Sequence, residues 1–186
     1  KFAALLDRHL PVQNFEDCHT PLITVSTNLD RPSRHIDRSG ALVPAVWSSC
    51  ALPFLFRPVE RDGRRLADGG IIDKAPIQAL TQNLPLDAVL VHIIPSRGLG
   101  RSAPRAPRKF LDWALDLSRN VGWELQAALA TALGIEVYLI QSEPSSIGPF
   151  SMKEGKGIIQ DATITCLNTL NRPVEELLFT NPRHAP

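Results

Sequence analysis

Cysteine, net charge and long apolar runs are all scarce in these 186 residues, and each scarcity excludes something. The three cysteines (Cys18, Cys50 and Cys166) are far apart and odd in number, so they form neither a disulfide framework nor a C-x-x-C pair. That usage favours a reducing compartment, and a cytoplasmic protein is expected. Cys18 and His19 are adjacent, an awkward arrangement for sharing one ion, and His9, His35, His92 and His184 are scattered. No metal site and no cofactor are expected. The formal net charge of +1 gives no general attraction to nucleic acid or membrane, so any electrostatic role must come from a local patch. No stretch of about twenty apolar residues exists to span a bilayer. There is also no signal peptide, and the chain starts at Lys1 rather than Met. Phe2 to Leu10 reads as the end of a helix, so the chain is expected to be part of something longer. No G-x-S-x-G occurs anywhere in it.

What is present is an ordinary soluble composition, 44% hydrophobic and 21% charged, enough for one domain with a sizeable core. Leu22 to Leu29 is apolar and β-branched and predicts a buried strand, broken by Arg31-Pro32-Ser33. Ala41 to Ala51 predicts a helix with Pro44 tolerated near its first turn, and Pro53 forbids continuation. Phe56 to Glu60 and Arg65 to Ala67 flank an Asp62-Gly63 turn and predict a hairpin. A helix over Ala75 to Gln82 and a strand over Val89 to Ile94, apolar on both faces, follow. Alternating strands and helices of this kind predict an α/β layer fold with a mostly parallel sheet. Residues 97 to 109 are basic and rich in Gly and Pro, and read as a loop. A long amphipathic helix follows, with Phe110, Trp113, Ala114, Leu117 and Val121 on one stripe and a kink at Gly122. Gly134 ends it, Ile135 to Ile140 predicts a strand, and Ile158 to Leu170 a last helix. A single domain is therefore expected over 1–180, with a tail at 181–186.

The chemistry centres on Asp68-Gly69-Gly70. Taken alone, the tripeptide is a turn in which glycine supplies positive φ. Ile71 and Ile72 follow at once, however, so the turn sits beside core and its carboxylate is partly buried. Two glycines leave room for another backbone or a ligand, and a carboxylate in such a niche suits a general base. A base needs a nucleophile. Ser26 is mid-strand, Ser39 has one nearby glycine, Ser48 and Ser49 sit on a helix, and Ser96 and Ser102 lie in the basic loop. None meets the strand–turn–helix requirement of a nucleophile elbow. His92 on its strand reads as a core histidine, not a triad member. Gly98-Leu99-Gly100 lacks the remaining elements of a phosphate loop. Arg97, Arg101, Arg105, Arg108 and Lys109 form either a solvated linker or a contact for anionic head groups at a membrane.

The run V-W-S-S-C-A-L-P-F-L-F-R-P-V followed by L-A-D-G-G resembles the second half of a patatin-like phospholipase domain. Ser49, Ala51 and Pro53 fit the family's A-S-x-A-x-P element, and Phe56, Pro58 and Val59 fit its next strand. Asp68, Gly69, Gly70 and Pro76 fit its D-G-G…P element. The likeness is strongest over 22–95, and Ser48, Asn28 and Lys74 depart from the usual alanine, aspartate and asparagine. The resemblance implies a three-layer α/β/α fold whose N-terminal part precedes Lys1. It also implies a Ser–Asp dyad cleaving phospholipids or similar acyl esters, with Asp68 as proton acceptor and the serine upstream. The alternative is a non-catalytic, lipid-binding or scaffold member that lost the nucleophile.

Overall fold

A computed structural model describes residues 2–53, 55–94, 102–141 and 155–179. The chain forms two compact units that divide between Leu84 and Pro85. The first begins with helix α1 (Phe2–His9), strands β1 (Thr24–Asn28) and β2 (Ser33–Asp37) and helix α2 (Leu42–Ser49). A hairpin of β3 (Val59–Arg61) and β4 (Arg64–Asp68) and the short helix α3 (Ile77–Thr81) complete it. Its sheet has the order β2-β1-β4-β3, and every pairing in it is antiparallel. The second unit holds β5 (Ala88–Ile93), the long helix α4 (Pro107–Ala132), β6 (Glu136–Gln141), α5 (Gly155–Leu170) and α6 (Val174–Leu177). Here β5 and β6 pair in parallel across the α4 crossover, with Ala88 opposite Glu136 and Ile93 opposite Gln141.

The expectation of a mostly parallel sheet therefore holds for β5 and β6 and fails for the other described strands. The reason is local. β1 turns back at once through a loop that Asn28 caps, its Oδ1 accepting the Asp30 and Arg31 N–H groups at 3.0 and 3.3 Å. The returning strand β2 is not legible in sequence because its residues, Ser33 to Asp37, are mostly polar. It pairs with β1 in register from Thr24↔Asp37 to Asn28↔Ser33. The β3–β4 turn matches the Asp-Gly signal: Asp62 and Gly63 take φ of 51° and 68°, as a two-residue primed turn requires. The paired part of the first hairpin arm is shorter than expected, Val59–Arg61 only.

Core residues of the first unit include Leu66, Ile77, Ala45 and Ala51, all 2% exposed or less. Phe15, Leu42 and Ala45 pack together near α1, with Leu10, Val12 and Val46 against them. In the second unit β5 alternates strictly: Val89, Val91 and Ile93 are buried, while Leu90 and His92 are exposed. His92 is thus not a core histidine, and the strand is not buried on both faces. Its Nε2 lies 4.0 Å from the Cys166 thiol of α5.

The long helix departs from expectation in the same way. Phe110, Leu117 and Val121 are between 40% and 48% exposed. The contact is made instead by Trp123, Ala127 and Ala130, spaced four and three residues apart. A six-residue strand is about 20 Å long and a 26-residue helix about 39 Å, so β6 covers only part of α4. The helix passes Gly122 without a break. Gly134, at φ +83°, ends it as expected, with the Ile135 N–H closing onto Ala130 O at 3.0 Å. Among the described residues no helix is long and apolar enough to cross a membrane.

Candidate active site

Asp68 is the last residue of β4, and its backbone is fixed from both sides. Its N–H donates to Ala51 O at 3.0 Å and its carbonyl accepts the Thr27 hydroxyl at 2.8 Å. It then caps a single 3-10 turn over Gly69–Ile71, its Oδ1 accepting the Gly70 N–H at 2.7 Å. The carboxylate is half-buried. No hydrogen bond to Oδ2 is made among the described residues.

Gly69 is required, though not for the conformational reason expected from sequence, and Gly70 is tight only against a side chain. Neither has positive φ; among the described glycines those are Gly40, Gly63 and Gly134. Gly69 is required by space, since a Cβ there would lie 2.2 Å from Val25 O in β1. A Cβ on Gly70 would meet Asp68 Oδ1 at 2.9 Å, so glycine there keeps the carboxylate in its capping position. The other half of the glycine reading, room for a neighbouring backbone, is what the turn uses.

The remaining motif residues build the wall around this turn. Ser49 donates its hydroxyl to Val25 O at 2.8 Å, tying the end of α2 to the same carbonyl that crowds Gly69. Ala51 is 1% exposed and supplies the acceptor for the Asp68 N–H. Pro53 follows in a turn, and Pro76 precedes α3, its carbonyl accepting the Ala79 N–H at 3.1 Å. Ser48 is fully buried and donates to Ala45 O at 2.9 Å. Ser26 faces Asp68 in the β1–β4 register but is 1% exposed, so no substrate carbonyl reaches it. Lys74 is half-buried.

Two neighbours of Asp68 carry no sequence signal. Cys50, at the end of α2, has its thiol pushed up in pKa by partial burial and then by the Asp68 carboxylate. Cys50 is itself exposed to solvent. The second is Asp73, whose N–H donates to Gly69 O at 2.9 Å. Its side chain, 2% exposed, is held by Arg34 of β2.

Of the cationic loop residues, Arg97 and Arg101 lie outside the described residues, as does the tail at 181–186. Arg105 is exposed before α4, while Arg108 and Lys109 fall in its first turn. Among the described residues no three His, Cys, Asp or Glu groups are arranged to hold a metal ion.

Residues 1–81 match the model of the family described as patatin-like phospholipase. The match reaches further toward the N-terminus than the motif residues alone and ends inside the first unit. The chain is also similar to two proteins called lysophospholipase NTE1, from Cryptococcus neoformans var. neoformans serotype D strains JEC21 and B-3501A. Each is 32% identical over 80 residues, covering 43% of this chain and 5% of the relative. Residues 1–81 of this chain are thus similar to the patatin-like phospholipase family, and the chain spans about 5% of the length of the two relatives.

Proposed function

We propose that this chain carries the acid–base half of a Ser–Asp acyl-ester hydrolase, with Asp68 as the proton acceptor. The observation that carries the reading is the Asp68 carboxylate itself: half-buried, fixed through Oδ1 and backbone, with no hydrogen bond to Oδ2 among the described residues. In the proposed reaction a serine hydroxyl attacks the ester carbonyl and passes its proton to Asp68. Asp68 returns that proton to the departing alcohol, and water releases the fatty acid from the acyl-enzyme. The nucleophile is assigned to sequence outside these 186 residues, because no G-x-S-x-G occurs within them and the described serines near Asp68 are buried or bonded to backbone. Backbone N–H donors for the oxyanion are assigned there too. Phospholipids, including the lysophospholipids named by the two relatives, are the proposed substrates. Peripheral contact with an anionic membrane through Arg97, Arg101, Arg105, Arg108 and Lys109 belongs to the same reading.

Hydrolysis of a nitrophenyl acyl ester by the full-length protein, with and without Asp68→Ala, tests the assignment. The variant is expected to remain folded, by circular dichroism, and to lose turnover. A folded variant that still turns over at the parental rate sinks it.

A further inference from the structure

Accepting Asp68 as the base, we infer that Arg34 and Asp73 form a positioning pair that sets where its carboxylate points. Arg34 sits on β2, directly opposite Thr27 of β1. Its guanidinium reaches both oxygens of Asp73, through Nε to Oδ2 and through Nη2 to Oδ1 at 3.3 Å. Its Nη1 donates to Gln78 Oε1 in α3 at 2.5 Å. One side chain thus clamps the segment that leaves the Asp68 turn and the helix that segment leads into.

The connection back to Asp68 is short and made of backbone. Asp73 donates its N–H to Gly69 O, which also accepts the Ile72 N–H at 3.1 Å, closing the single turn that starts at Asp68. Thr27 fixes the Asp68 carbonyl on the other side. The turn is therefore tied to β1 at its start and to β2, through Arg34, at its end. Gly69 has no slack between these anchors, since it already lies against Val25 O.

A purely stabilising role is a poor account of this pair. Asp73 is buried and its charge costs desolvation, the Arg34 side chain is 29% exposed, and replacing both partners of such a pair by apolar side chains is often neutral. What a bidentate guanidinium–carboxylate pair adds is direction, because the planar fork accepts only one arrangement. Direction matters here: a misplacement of about 1 Å at a reacting group costs on the order of 100-fold in rate.

The test uses the full-length protein and the double variant Arg34→Met/Asp73→Leu, which removes both partners of the pair together. Its melting temperature is expected to stay at or above the parental value, while kcat falls at least ~10-fold with KM little changed. Amide exchange at Gly70 and Asp73 is expected to quicken. Arg34→Lys, which cannot reproduce the fork, is expected to recover only part of kcat. A folded double variant with parental kcat and unchanged exchange overturns the inference. Asp68→Asn measured alongside separates the two ideas. Full activity in that variant removes the dyad reading, and the exchange data then still report whether the pair holds the turn.

Discussion

Gly69 shows how a single missing Cβ determines the site. The nearest atoms to an added methyl belong to Val25 of the neighbouring strand, at 2.2 and 2.9 Å for its carbonyl oxygen and carbon. Strand β1 or the turn must move to admit it. Gly69→Ala is expected to destabilise the protein by about 1–3 kcal/mol, the usual range for overpacking, read as a fall in urea midpoint at unchanged m-value. Cys50 supplies a second test at this scale. Burial and the Asp68 charge both raise its pKa, so the neutral thiol is favoured. That contribution to stability is fully present below the unfolded value and is lost as pH rises through the folded one. Asp68→Asn removes one of the two causes. Alkylation of Cys50 by iodoacetamide at about pH 8, just below the ordinary thiol value, is therefore expected to accelerate in that variant. Peptide mass spectrometry follows the reaction, and an unchanged rate would separate Cys50 from Asp68. The Asp-Gly-Gly signal names the residues of this niche, but the reason for the glycines lies in a distant strand, at Val25, where no local pattern announces it.

Among the elements, those with a local cause are legible in sequence and those that depend on a partner are not. The Asp62-Gly63 hairpin, the Gly134 helix stop and the β-branched strand β1 announce themselves through turn chemistry and β-branched side chains. Strand β2 does not, because its polar side chains find partners far away in sequence: Arg34 at Asp73, His35 Nδ1 at Arg64 (3.2 Å), and Asp37 at Arg61. The last pair joins β2 to β3. Asp37 is 8% exposed and has His35 Nε2 3.3 Å away as well, so Arg61→Ala removes one of two partners and is expected to cost about 1–3 kcal/mol in thermal or chemical unfolding. Asp30, which holds the β1–β2 turn to β4, behaves differently. The Arg65 N–H and guanidinium, both at 2.7 Å, hold its carboxyl below the ordinary carboxylate value. That contribution exists above the unfolded pKa and disappears as pH falls through the folded one. A melting-temperature gap between the parent and Asp30→Asn is expected at neutral pH and should close below about pH 4.

For the whole molecule, the family match and the first unit nearly coincide, at residues 1–81 and up to Leu84. Every residue that holds Asp68 in place, from Val25 to Gln78, lies inside that unit. The motif order is legible in sequence because each motif has a local job: Ser49 and Ala51 end a helix against β1 and β4, and Gly69 fits under Val25. The amphipathic pattern of α4 is legible as a helix but not as a packing partner, since its contact runs through Trp123, Ala127 and Ala130 and leaves Leu125 and Leu129 exposed. The isolated 186-residue chain is expected to give no covalent adduct with a fluorophosphonate ester probe. Asp68 as proton acceptor is tested most sharply by the rate at which that probe labels the full-length protein, with and without the Asp68→Asn substitution. If Asp68 takes the serine proton, labelling falls by at least ~100-fold, within the range assigned to general-base catalysis. An Asp68→Asn protein that labels as fast as its parent would mean that Asp68 is not the base.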